Sequence, residues 1–160
     1  MRFLLIDDDP RYRALLRHHI SCDLTDAELI VHNPVQRGSL EKDFLAQGYA
    51  AVLIDHAWQN GNGLDWLKIL AHRPGFAPLV FLAPQADGAL AERALEAGAF
   101  AVIGTDKIDH DRLIAVLRDA HRRQSQAQAE WLASPAARTA QTFGGAYIPG
   151  YRCARKIASG

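Results

Sequence analysis

The sequence has few cysteines, no excess of charge and no long apolar run, and each shortage excludes a class of protein. Its two cysteines, Cys22 and Cys153, lie far apart in different predicted segments, so reduced thiols fit better than a disulfide framework. Eighteen basic and 18 acidic side chains balance each other. Binding of nucleic acid normally needs a concentrated positive face, so we expect no nucleic-acid partner.

Membrane and export signals are also missing from the pattern. No stretch reaches about 18 apolar residues, and Met1-Arg2-Phe3 leads straight into a strand pattern, so we predict neither a membrane span nor a signal peptide. We therefore expect a cytoplasmic protein without a membrane partner. The 160 residues fit one domain plus an appendage.

Acidic residues follow two short apolar runs. The triplet Asp7-Asp8-Asp9 follows residues 3–6, and Asp55 follows residues 50–54. Such runs are typical of buried parallel strands, and ligands of open α/β sheets bind beyond the carboxyl ends of the strands. If the first and third strands bring these acids together, their mutual repulsion calls for a cation. Oxygen ligands without a nearby cysteine suit Mg²⁺, and Mg²⁺ beside a carboxylate suggests phosphoryl chemistry.

Strands and helices alternate along the first 132 residues. The predicted strands cover residues 2–6, 28–32, 50–55, 78–82 and 100–104. The predicted helices start near Pro10, Ser39, Leu64, Gly88 and His110. The first helix is expected to bury Tyr12, Leu15, Leu16 and Ile20, the second carries Phe44 and Leu45, and the last continues toward Leu132. Residues 56–63 are predicted to form a loop.

This order, with its acids, resembles the receiver domain of two-component response regulators over about residues 1–123. The residues that carry the likeness are the stretch Leu5 to Pro10, Gly63 eight residues after Asp55, and Gly98-Ala99 before the fifth strand. The resemblance implies a flavodoxin-like (βα)5 doubly wound parallel sheet, with strand order 2-1-3-4-5. Residues 124–147 are then a helical extension and linker.

The resemblance also implies roles for the acidic residues. Asp55 is the expected phospho-acceptor, Asp8 a direct Mg²⁺ ligand, Asp7 an acid that holds Mg²⁺ mainly through water, and the Ala57 carbonyl a further ligand. The implied phosphoryl donor is a histidine kinase or a phosphotransfer protein. Other implied partners are an output domain of the same protein and a second copy, bound through the last strand and helices.

Three positions depart from the receiver pattern. Ala83, Val102 and Thr105 stand where the family usually has a Ser or Thr, an aromatic residue and a Lys. Ala83 lacks the hydroxyl of the usual switch, Val102 lacks its aromatic ring, and Thr105 lacks its positive charge. If the strand extends to Lys107, the side chain of Lys107 points to the same face as that of Thr105, and it is then a possible substitute for the missing lysine.

Residues 148–160 resemble the entry to a bacterial Ser/Thr protein kinase of the eukaryotic type, although Ala158 replaces the expected first glycine. The resemblance implies that this chain, not itself an enzyme, is the regulatory part of a longer Ser/Thr kinase.

Two other functions stay open. The first is a degenerate receiver that works as an interaction or dimerisation module without phosphorylation. The second is a phosphatase of the haloacid-dehalogenase type, with Asp7 as nucleophile and Asp9 as acid, but Pro10 and Arg11 do not fit its motif. Asp9 is instead expected to cap the first helix.

Overall fold

The computed structural model describes residues 1–59 and 61–135. The elements are β1 (Arg2–Ile6), α1 (Pro10–Asp23), β2 (Glu28–His32), α2 (Pro34–Arg37), β3 (Ala51–Asp55), β4 (Ala57–Trp58), β5 (Gly61–Asn62), α3 (Gly63–Ala71), β6 (Leu79–Ala83), α4 (Ala89–Ala97), β7 (Ala101–Gly104) and α5 (His110–Leu132).

The main sheet is parallel and has the order β2-β1-β3-β6-β7. Counted over these five strands alone, the order is 2-1-3-4-5, which confirms the predicted fold. Ile6 pairs with Ile54, so β1 and β3 reach the same edge of the sheet with their carboxyl ends. Asp7 directly follows Ile6, and Asp55 directly follows Ile54.

Helices cover both faces of the sheet. On one face, Leu16 and Ile20 of α1 and Leu113 and Leu117 of α5 pack against inward residues such as Leu53. On the other face, α3 and α4 pack against Ile6, Ile54 and Phe81. Because β3 and β6 are buried along their whole length, their sequences are continuous apolar runs rather than alternating ones. Leu15, predicted to be buried, is 39% exposed because it lies off the inward face of α1.

The predicted helix from Ser39 is wrong. The helix starts earlier, where the Asn33 side chain accepts hydrogen bonds from the Val35 and Gln36 amides, and it stops after one turn at Gly38, which has a φ of 72°. This positive φ suits glycine and ends the helical pattern. Phe44 and Leu45 lie in the irregular segment that follows and are half-buried.

Part of the predicted loop 56–63 is a small antiparallel hairpin, β4 with β5. The Asn60-Gly61 dipeptide in the sequence is a turn signal that would have favoured it.

The last helix, α5, runs without a break from His110 to Leu132 and thus crosses the predicted domain boundary at residue 123. Its second half contacts the domain through side chains: the side-chain amide of Gln128 donates to the backbone carbonyl of Gln47 at 2.9 Å, and Gln124 is buried. Residues 136–147 of the predicted linker, and the kinase-like residues 148–160, lie outside the described part of the chain. Within that part, no helix combines the length and apolar character that crossing a bilayer requires.

Candidate functional site

Asp7 and Asp55 lie together at the carboxyl edge of the sheet. Asp55 is the last residue of β3, and Asp7 directly follows β1, its neighbour in the sheet. Asp55 is only 4% exposed and Asp7 only 1% exposed. The structure therefore brings together two of the predicted site residues, and buries both.

Burial and mutual repulsion make this pair electrostatically unfavourable. The pKa of Asp7 is raised to about 7, first because burial disfavours the charged form and then because of the nearby Asp55 carboxylate. Burial also raises the pKa of Asp55, against the opposing effect of His56, whose Nδ1 lies 3.3 Å from Asp55 Oδ1. A cation between the carboxylates would remove this penalty.

Each of the two carboxyl groups has one oxygen that accepts no hydrogen bond within the described residues. Asp7 Oδ1 accepts a hydrogen bond from the Asp8 amide at 2.8 Å. Asp7 Oδ2 and Asp55 Oδ1 are buried and accept no hydrogen bond from residues 1–59 or 61–135. Buried polar atoms of this kind are uncommon in folded proteins and often indicate an ion or water.

Asp8 and Asp9 accept hydrogen bonds from neighbouring backbone amides. Asp8 Oδ2 accepts a hydrogen bond from the backbone amide of Gln59 at 3.1 Å, which ties the β1–α1 turn to the hairpin. Asp9 caps α1, since its Oδ1 accepts from the Arg11 amide at 2.9 Å, and its pKa is lowered by the Arg11 side chain. The predicted N-cap role of Asp9 is confirmed.

The residues present fit Mg²⁺ as a two-carboxylate site. Within the described residues, no group of three or more His, Cys, Asp or Glu side chains is arranged to hold a metal ion. Mg²⁺ needs fewer, because it is often bound by one or two carboxylates and keeps several waters. Asp7 and Asp55 supply that pair, and Asp8, the predicted direct ligand, has one carboxylate oxygen bonded to the backbone amide of Gln59. Ala57 begins β4, two residues beyond Asp55.

The hairpin brings a tryptophan beside this edge. The Trp58 and Trp66 rings meet edge to face, with centroids 5.1 Å apart, and Trp66 also lies 6.0 Å from the His32 ring. Both tryptophans are half-buried. Sequence reasoning missed the link between this aromatic cluster and the acids, which runs through the Asp8–Gln59 hydrogen bond.

Two of the three departures from the receiver pattern, Ala83 and Thr105, lie where neighbouring strands end, and the third, Val102, lies within β7. Ala83 is the fully buried last residue of β6. Thr105 follows β7, and both its amide and its hydroxyl donate to the Ala83 carbonyl, at 2.7 and 3.2 Å. Val102 is buried in the core formed with α3 and α4. The only hydroxyl among these three side chains is thus engaged with the backbone.

The last strand does not extend to Lys107. The strand β7 ends at Gly104, and a bend follows over residues 105–107, so the argument that Lys107 shares a face with Thr105 does not apply. Its side chain is exposed, and no ion pair joins it to Asp55 in residues 1–59 and 61–135.

Comparison with known proteins supports the fold. Neither a family model nor a curated protein matches the chain. Solved structures do: a response regulator receiver domain from Clostridium thermocellum has a TM-score of 0.63 at 18% identity, covering 79% of this chain and 98% of its own. A CheY-like receiver domain from Methanospirillum hungatei gives 0.61 at 18% identity, covering 79% and 97%. A Francisella receiver domain gives 0.60 at 20% identity, covering 76% and 97%.

The chain has the receiver fold. At this level of identity the likeness concerns the arrangement of helices and strands. It covers about three quarters of the chain and nearly the whole of each of these receiver domains.

Proposed function

We propose that this chain is the signal-input domain of a cytoplasmic two-component response regulator and accepts a phosphoryl group on Asp55 with Mg²⁺. The observation that carries the proposal is the burial of Asp7 beside Asp55 at the carboxyl edge of a receiver fold, where one oxygen of each carboxyl group accepts no hydrogen bond within the described residues. A histidine kinase or a phosphotransfer protein is the proposed donor.

The chain's own residues divide the work. An Asp55 oxygen attacks phosphorus and forms the new O–P bond, while the P–N bond to the donor histidine breaks and its electrons leave with the imidazole. Mg²⁺, held by Asp7 and Asp55, would offset the charge on both reactants. His56, in contact with Asp55, favours its ionised and nucleophilic form.

The direct test is phosphorylation by a small donor. Acetyl phosphate with Mg²⁺ should increase the mass of the intact protein by one phosphoryl group, and omission of Mg²⁺ or the change Asp55→Asn should abolish the increase. Asp65→Asn, which alters an exposed acid at the start of α3, is the matched control and should label normally. Absence of an adduct, or equal labelling of Asp55→Asn, would refute the proposal.

A second candidate is a degenerate receiver that acts as an interaction or dimerisation module without phosphorylation. The state of the switch positions favours it, because Thr105 bonds to the backbone and Lys107 is exposed. This candidate predicts that self-association, followed by sedimentation, is the same for wild type, Asp55→Asn and protein treated with acetyl phosphate. A shift on acetyl phosphate treatment that Asp55→Asn lacks would exclude it.

For the output, we propose a Ser/Thr protein kinase domain that begins with residues 148–160. The support is the sequence pattern of these residues alone. The test is ATP-dependent labelling of a Ser/Thr substrate by the protein extended past Gly160, with and without acetyl phosphate. An extension that lacks a lysine in its next strand and a His-Arg-Asp stretch would refute it.

A further inference from the structure

A cavity of about 680 Å³ lies at the end of the molecule opposite the acids. Its walls include Leu79 at the start of β6 and Phe100 just before β7, whereas Asp7 and Asp55 lie at the carboxyl ends of their strands. The length of a five-residue strand, roughly 15 Å, separates the two places. The second half of α5 forms one wall, so the cavity exists because this helix continues past the sheet.

The lining combines flat aromatic surfaces with positive charge. Phe76, Phe100 and Trp131 contribute rings, and Arg73 and Arg123 contribute guanidinium groups. No aspartate or glutamate is among the lining residues that the structure describes. The cavity is therefore suited to a planar, negatively charged molecule.

The positive groups are held in position. Arg73 Nη1 donates to the carbonyls of Glu41 and Phe44 at 2.8 and 2.7 Å. The Arg123 guanidinium lies over the Phe100 ring, 5.4 Å from its centroid. A stacked guanidinium keeps its N–H donors at its edge, where they can meet phosphate oxygens.

Amide groups complete the wall on the side of α5. The side-chain amide of Gln128 donates to the backbone carbonyl of Gln47, and the side-chain amide of Gln124 donates to Gln47 Oε1 at 3.4 Å. These bonds join α5 to the segment before β3, so the cavity is largely pre-formed. Its volume falls within the range of about 300–1,000 Å³ that is usual for small-molecule sites.

We propose that this cavity binds a nucleoside monophosphate, with the base between the aromatic side chains and the phosphate on Arg123 and Arg73. Both halves of such a ligand are needed to use the lining, since an inorganic anion makes no contact with the rings of Phe76 and Trp131, and an uncharged ring leaves the positive charges of Arg73 and Arg123 without an anion. The proposal does not depend on phosphorylation of Asp55.

The test is calorimetric titration of the 160-residue chain with AMP and with GMP at low salt. At least one should bind saturably with one site per chain, and inorganic phosphate should bind at least tenfold more weakly. Arg123→Gln and Trp131→Ala should each reduce the affinity at least tenfold. Asp55→Asn should leave it unchanged, which separates this proposal from the one on phosphorylation.

The neighbouring arginine supplies a matched control. Arg122 is on the same turn of α5 but bonds to Asp119 at 2.7 Å and does not line the cavity, so Arg122→Gln should bind as the wild type does. Hydrogen exchange gives a second measurement: the bound nucleotide should slow exchange of the amides of residues 123–132. No saturable binding at millimolar nucleotide, equal affinity for inorganic phosphate, or equal losses in Arg122→Gln and Arg123→Gln would each overturn the proposal.

Discussion

Gly63 lies directly against the backbone of Asp55. A Cβ at position 63 would overlap the Asp55 carbonyl oxygen and would lie 2.9 Å from both the carbonyl carbon and a methyl group of Ile54. The Gly63 amide also donates to the His56 carbonyl at 2.9 Å. The first turn of α3 is thus packed onto the end of β3, and only glycine leaves the room that this needs.

We predict that Gly63→Ala destabilises the fold by about 1–3 kcal/mol, since the added methyl group has no space and the backbone must move. Urea unfolding followed by circular dichroism measures this. Gly48→Ala is the control, because a Cβ there meets only the end of the Arg2 side chain at 3.8 Å, an ordinary contact. Equal stability of Gly63→Ala and the wild type would contradict the packing described.

The acid pair predicts a dependence of stability on pH when no divalent ion is present. The folded protein keeps the Asp7 proton up to about pH 7, whereas the unfolded chain loses it near the ordinary value of 3.8. The folded state therefore binds more protons between these values, and the free energy of unfolding contributed by Asp7 falls as pH rises through that window.

We accordingly expect Asp7→Asn to stabilise the metal-free protein by roughly 1–3 kcal/mol near pH 8, the usual scale for a buried polar group without a partner. Denaturant unfolding in EDTA measures it, with the exposed Asp87 changed to Asn as control. Added Mg²⁺ should stabilise the wild type and not Asp7→Asn. A variant that is less stable than the wild type in EDTA would contradict the electrostatic account.

A second pH effect is expected where α1 meets α5. His19 Nδ1 lies 2.8 Å from His110 Nδ1, and His110 Nε2 lies 3.0 Å from Asp23 Oδ2. One proton can be shared between the two Nδ1 atoms, but two protons repel. The pKa of His19 is lowered, first by burial and then by His110 and His18.

Because the folded pKa of His19 lies below its ordinary value of 6.5, its contribution to stability is complete above that value and is lost as the pH falls below it. His19→Gln should therefore lose less stability than the wild type between about pH 7.5 and 5. Thermal unfolding at a series of pH values measures this, and His121→Gln, on α5, is the control. Parallel pH profiles for His19→Gln and the wild type would show that the pair does not act in this way.

Magnesium should be visible through Trp58. If Asp8 is drawn toward a metal, its hydrogen bond with the backbone amide of Gln59, next to Trp58, changes, and the hairpin that carries the indole shifts. We expect a saturable change in tryptophan fluorescence on Mg²⁺ addition that is absent from Trp58→Phe and retained in Trp131→Phe. A change of equal size in Trp58→Phe would place the signal elsewhere.

The sequence by itself determined the alternation of strands and helices, because apolar runs and helical spacing are local patterns, and its resemblance to receiver domains implied the strand order. The strands 2–6 and 28–32 have their predicted bounds, and α5 continues through its Gln-rich stretch to Leu132, as predicted. Placement of the acids at one edge followed from the same patterns, since parallel strands end together.

Contacts between distant residues were decided only by the tertiary structure. Asp8 bonds to an amide 51 positions away, His19 meets a ring 91 positions away, and the Gln-rich end of α5 closes a cavity on Gln47. Burial of Asp7 and Asp55 likewise depends on how helices cover the sheet edge. Hydrogen bonding and desolvation act over a few ångströms in space, and no pattern along the chain records which residues packing brings that close.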